Sequence, residues 1–146
     1  MYTLYGNLAT FYPPYVKEHH PSISEGRVGF IIGLMYAAII LASLSSSILL
    51  QKLGRKNVLL VGTMIMLVGT AGYGLLVLIE DDNLFFWVSF IFRILQGFGD
   101  GCAGTAIFSI IAIEFKEEKA LYTSLFSASI GLGALLGPMV GQLIFN

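Results

Sequence analysis

The chain has 146 residues and a net charge of −1, with 56% hydrophobic and 12% charged side chains. Soluble domains run about 45–50% apolar and about 25% charged, and a domain of this length still exposes roughly 30% of its unfolded surface. A mean hydropathy of +0.82 therefore excludes a water-soluble globule. The lack of any basic block leaves a nucleic-acid partner without electrostatic support. Cys102 stands alone, so neither an internal disulfide nor a cysteine metal site is expected, and nothing in the sequence calls for a cofactor.

The predicted elements are membrane spans, read from the gaps between charge clusters. Residues 1–16 carry no charged side chain and are rich in aromatics (Tyr2, Tyr5, Phe11, Tyr12, Tyr15). At ~24 Å they are short for a span, and no basic region precedes them as a signal peptide requires. Pro13 and Pro14 are expected to end a helix near Tyr12, and the segment reads either as an interfacial stretch or, as its aromatic and proline content favours, as a partial first span. The following loop, with Lys17 and Arg27, contains Glu18-His19-His20. Adjacent histidines on a solvated loop are expected to be polar filler rather than metal ligands.

Residues 28–50 and 57–79 carry no charge. Each would make a helix of ~34 Å, enough for a ~30 Å hydrocarbon core. Between them lies Gln51-Lys52-Leu53-Gly54-Arg55-Lys56, a short reversal with Gly54 at the turn. The serines Ser43, Ser45, Ser46 and Ser47 are expected to satisfy backbone carbonyls or permit close packing. Gly29 and Gly33 add a small-residue spacing.

The next span, 84–113, is interrupted only by Arg93 and Asp100. A charge at mid-bilayer costs roughly 2.5–3.5 kcal/mol on insertion scales, so intramembrane ionisable residues read as functional by default. Arg93 lies ~13 Å and Asp100 ~24 Å from Leu84 along the helix. Positions 93, 96, 97, 100 and 104 follow helical spacing and give one face of Arg, Gln, Gly, Asp, Gly. Cβ vectors tilt toward the helix N-terminus, so Arg93 leans away from Asp100 and each charge should meet another helix or water.

The last predicted span, 120–145, places Gly133, Gly137 and Gly141 at four-residue spacing, a small-residue packing face. Pro138 is a candidate bend. Lys52, Arg55, Lys56, Lys116 and Lys119 stand on one side of the spans against Lys17 and Arg27 on the other. The positive-inside bias then puts 51–56 and 114–119 in the cytoplasm.

Taken in this order, Gly54-Arg55-Lys56, Arg93-x-x-Gln96-Gly97 and Gly133-x-x-x-Gly137-Pro138-x-x-Gly141 resemble signatures of the major facilitator superfamily. The first is similar to the loop between its helices 2 and 3, the second to its helix 4, and the third to the helix 5 motif of proton-coupled antiporters. The resemblance covers helices 1 (partial) to 5 of an N-terminal six-helix half, so helix 6 and the C-terminal half of such a transporter are expected beyond this sequence. It implies an all-α multi-pass membrane protein of the facilitator fold, in a plasma or vesicle membrane. The implied activity is alternating-access transport of a small organic solute, an organic cation or amine among the candidates, by proton-coupled antiport. The drug/proton antiporters and the vesicular amine and polyamine transporters are the most similar branches.

Within that reading Asp100 would take up and release a proton, Arg93 would tune it, and Gln96 would hydrogen-bond substrate or helix 1. Asn7 is the polar residue offered by helix 1, where the amine branch usually has an acid. Gly97 and Gly101, with Gly133, Gly137, Pro138 and Gly141, would form packing and hinge positions. Gln51 stands where the loop signature usually has an acidic residue, which removes that ionic latch. The competing expectation is a membrane scaffold that binds partner helices through its glycine faces and transports nothing. An intramembrane enzyme finds no Ser/His, paired-Asp or His-x-x-x-His set at matching depth.

Overall fold

A computed structural model describes residues 12–145, with the side chains of 141–145 left undescribed. The described helices are α1 (residues 12–19), α2 (Glu25–Leu53), α3 (Arg55–Gly74), α4 (Asp82–Glu114) and α5 (Lys119–Phe145). The last four are each long and apolar enough to cross a membrane. A backbone in lipid must satisfy its hydrogen bonds within the segment, which leaves helices as the solution for apolar runs of this length. The all-α class follows.

The ends of these helices come from local chemistry. Asp81 caps α4 by accepting a hydrogen bond from the Leu84 amide at 2.7 Å, which satisfies one of the orphan donors of the first turn. Glu25 in the first turn of α2 and Lys52 in its last complement the helix dipole. The reversal after α2 is far tighter than the expected six-residue loop. Gly54 alone breaks the helix, at φ 78° and ψ 158°, and α3 begins at Arg55. That backbone conformation is open essentially only to glycine, so Lys52, Arg55 and Lys56 ride on helix ends.

The expectation that Pro13 and Pro14 end a helix near Tyr12 concerns residues outside the described ones. Within α1 the two prolines stand in the first described turn, where their fixed φ and missing donor are tolerated. The span expected at 57–79 is found as Arg55–Leu78, tightening after Gly74 into a 3₁₀ turn, Leu75–Leu78.

Helix α4 is the central element, packed against both α2 and α3, which barely touch each other. Its glycines make this feasible. A Cβ on Gly97 would collide with the Met35 carbonyl, and one on Gly101 would stand 2.5 Å from the Ile39 carbonyl. Facing α3, a Cβ on Gly99 would stand 2.6 Å from the Gly62 carbonyl, and one on Gly69 would stand 2.9 Å from the Gln96 amide nitrogen. Position numbers rise together along α2 and α4 and in opposition along α3 and α4, so α2 and α4 run parallel with α3 antiparallel. Among the described residues α5 meets the rest through α4, with Phe108 edge-on to Phe126 at 5.1 Å.

Two apolar clusters bracket the middle of α4. At the Asp82 end, Tyr12, Val16, Ile23, Val28, Ile31, Tyr73, Leu76 and Phe85 pack together. At the Gly54 end the cluster is Ala42, Val58, Cys102 and Ala106. Between them lie Arg93, Gln96 and Asp100, all buried. The outer faces carry exposed Ile40, Leu44, Met64, Leu67, Leu125 and Leu135, the surface a helix presents to lipid. This is an integral, multi-pass membrane protein.

Candidate functional site

The buried charged face of α4 is the strongest candidate. Ser89, Arg93, Gln96 and Asp100 repeat at four, three and four residues and are each no more than 3% exposed. Arg93 does not pair with Asp100. Its Nη1 donates to Gln96 Oε1 at 2.9 Å, one turn along the same helix, and approaches Met35 Sδ of α2 at 3.3 Å. Its guanidinium also lies 4.3 Å from the Tyr73 ring centre of α3, a cation–π contact that gains strength away from water. Gln96 Nε2 in turn donates to Thr70 Oγ1 at 3.0 Å. Both ends of the Gln96 amide are thus engaged in joining α3 to α4, so neither is free for a substrate in this conformation.

Asp100 differs from Arg93 and Gln96. Both carboxylate oxygens are buried, and among the described residues no donor reaches either one. An ionised carboxylate in such a place is expensive, and a proton is the simplest compensation. Position 104, placed on the same face by its spacing, meets nothing within 4 Å of a built Cβ. The polar stripe therefore ends at Asp100.

The remaining positions are distributed as follows. Arg55 Nε donates to Ser109 Oγ at 3.2 Å, tying the start of α3 to the last turns of α4. Gly54 makes the reversal, and Lys56 is exposed. Gly97 and Gly101 form the contact with α2. On α5, Gly137 is buried while Gly133 and Pro138 are half-buried. Asn7, the side of Gly141 and most of the 1–16 segment lie outside the described residues. Ser45 and Ser46 bond back to the Ala42 carbonyl and Ser47 to that of Leu44, as the sequence suggested.

His20 is the residue that sequence reasoning missed. Its neighbour His19 is exposed as expected, but His20 is 3% exposed, stacked on Phe85 at 4.1 Å. Its Nδ1 sits 2.5 Å from Asp82 Oδ1, and Ser22 Oγ donates to the other oxygen of the same carboxylate. Solvated filler is the wrong description. The only available signal was compositional, an acidic trio at 80–82 and a histidine pair at 19–20, and a separation of 62 positions hid their pairing.

Four membrane-spanning helices built around a central helix with a buried arginine, glutamine and aspartate define a polytopic membrane protein with a charged interior. Comparison with known proteins gives its family. A model of the Major Facilitator Superfamily matches residues 1–146, and the chain belongs to that superfamily. It is 28% identical to the MFS-type transporter SLC18B1 of Rattus norvegicus over 97% of this chain and 31% of that protein. It is 27% identical to a probable peptide/nitrate transporter of Arabidopsis thaliana over 86% of this chain and 25% of that protein. With multidrug resistance protein 3 of Bacillus subtilis (strain 168) the identity is 34%, over 62% of this chain and 17% of that protein. The chain spans less than a third of the length of these relatives. No solved structure matches it.

Proposed function

We propose that the chain forms helices 1 to 5 of the N-terminal half of a facilitator-type carrier that exchanges a small organic solute for protons. The carrying observation is Asp100: a carboxyl group buried inside a helix bundle, with no donor among the described residues on either oxygen. Such a group holds a proton while enclosed and releases it when the cavity around it opens to water, which is the behaviour alternating access requires of a coupling site. Arg93, held by Gln96 and Tyr73, keeps a fixed positive charge one and a half to two turns away and limits how readily Asp100 is reprotonated. An organic cation or amine suits a site whose carboxylate is charged once its proton has left. Similarity to an MFS-type transporter and to a multidrug resistance protein supports transport as the activity. The lysine and arginine distribution supports a cytoplasmic placement of 51–56 and 114–119, in a plasma or vesicle membrane.

The test uses the full-length gene product in proteoliposomes. An imposed pH gradient should drive uptake of a fluorescent organic cation, and Asp100→Asn should abolish that drive while leaving downhill exchange. Uptake by Asp100→Asn that still follows the pH gradient would overturn the assignment.

A further inference from the structure

Several buried polar atoms near α4 have no partner among the described residues. They are Ser89 Oγ, Arg93 Nε, both oxygens of Asp100, and the hydroxyls of Tyr12 and Tyr73. Native structures leave few such groups, and those that remain are met by ordered water. Their placement is not scattered. Ser89, Arg93 and Asp100 share one face of α4, and Tyr73 lies beside Arg93. From Ser89 to Asp100 is ~16 Å along the helix, so the unmet groups form a line rather than a pocket. The opposite face of α4 has none of this character, since Cys102 is buried there among Ala42, Val58 and Ala106.

The line stops abruptly at the Asp82 end. Phe85, one turn before Ser89, is 1% exposed and stacks on Tyr12 at 6.1 Å. On its other side lies the His20 ring, fixed by Asp82. Asp82 also accepts from Ser22, so one carboxylate holds both arms of the α1–α2 connection over the aromatic layer. The groups facing His20 are Asp82 of α4, Tyr15 of the preceding helix α1 and the Phe85 ring. The nearby Lys17–Glu25 pair is a solvated contact at 3.8 Å.

We infer that the Ser89–Arg93–Asp100 face of α4 borders a file of buried water. We further infer that Phe85 and Tyr12 close this file at one end, latched by the His20–Asp82–Ser22 cluster. The file gives Asp100 a route for protons along α4, and the latch decides whether that route meets the solution at the Asp82 end. This deepens the reading of Asp100 as the coupling group and adds His20, Asp82, Ser22, Ser89 and Phe85 to the residues with work to do.

Silver ion is the probe, because it is small, enters water-filled passages and binds thiols, the sulfur losing its proton to buffer as the S–Ag bond forms. In the full-length protein carrying Ser89→Cys, exposure to silver in chloride-free buffer is followed by denaturation and maleimide labelling. Trypsin cleaves after Arg93 and so puts position 89 and the native Cys102 on separate peptides for mass spectrometry. Silver should block position 89 and leave Cys102 free to label. His20→Ala should speed the reaction at position 89 by about tenfold, the equilibrium change expected from losing a charge-assisted bond. Asp82→Asn, which keeps the side chain's size, should do the same, and this guards against a folding defect of the first variant. Position 89 labelling as freely as Cys102 would overturn the water file, and an unchanged rate in both variants would overturn the latch. Failure here is distinct from failure of the transport reading. A dry face combined with Asp100-dependent coupling removes only this inference, whereas a wet face with pH-insensitive flux removes only that one.

Discussion

Arg93 shows how a charge is kept in an apolar helix. Its guanidinium meets an amide oxygen, a thioether sulfur and an aromatic face, and among the described residues no carboxylate comes within ion-pair distance of it. The contacts are individually modest, but their removal is not. Arg93→Ala leaves the Gln96 amide oxygen buried without a donor, which costs about 1–3 kcal/mol. Thermal unfolding in detergent should show that loss, and Arg93→Lys should recover part of it, because an ammonium keeps the charge but not the flat stacking on Tyr73. A variant more stable than the native protein would show that burying the charge outweighs its contacts. At Gly54 the argument is purely one of backbone. Nothing lies within 4 Å of a Cβ there, yet φ is +78°, so Gly54→Ala meets strain of about 1–3 kcal/mol with no clash to relieve. The same melting experiment checks this, and an unchanged melting temperature would mean that the reversal can adopt another conformation.

At the level of elements, α4 is held by close backbone approach rather than by large side chains. Gly97 and Gly101 let α2 in, while Gly99 on α4 meets Gly62 and Gly69 on α3. Lipid supplies no hydrophobic drive between helices, so such contacts and a few hydrogen bonds carry association. Gly97→Leu drives a side chain into the Met35 carbonyl and the Ala38 methyl; overpacking of this kind costs about 1–3 kcal/mol. Gly104→Leu, in open space, should cost little. Expression level and melting temperature of the pair separate the two cases, and equal losses would mean that the close approach at Gly97 does not set the effect.

These same elements show what could be read in advance. The four long helices were legible because lipid forces apolar runs of fixed length bounded by charge. The burial of Arg93 and Asp100, with Gln96 on their face, was legible because a charge inside such a run must turn away from lipid, whether it serves a structural pair or a function. Gly62 and Gly69 were not, since a lone glycine carries no spacing signal until its partner helix is in place. His20 was hidden for a similar reason: its burial depends on Phe85 and Asp82, which no local pattern connects to residue 20. The six-residue loop contracted to a single glycine because positively charged ends can remain helical at a membrane surface, where their side chains still reach water.

For the whole molecule the decisive question is which way the bundle faces. The Gly54 reversal and the α4–α5 turn carry Lys52, Arg55, Lys56, Lys116 and Lys119, while the Asp82 end carries Lys17 and Arg27 with Glu80, Asp81 and Asp82. Arg55 is partly occupied by Ser109, but orientation is fixed during insertion by loop lysines and arginines, before such contacts exist. The Gly54 end should therefore lie in the cytoplasm, with the His20–Asp82 latch facing outward or into a lumen. A cysteine replacing exposed Glu117 should label with an impermeant maleimide only after the membrane is opened. One replacing exposed Glu18 should label in intact cells or, for a vesicle protein, only from the luminal side. If Glu117→Cys labels from the side opposite the cytoplasm, the bundle is inverted. The Asp82 end would then be the cytoplasmic one, and the closed aromatic layer at Phe85 would seal the route of Asp100 against the cytoplasm instead of against the space across the membrane.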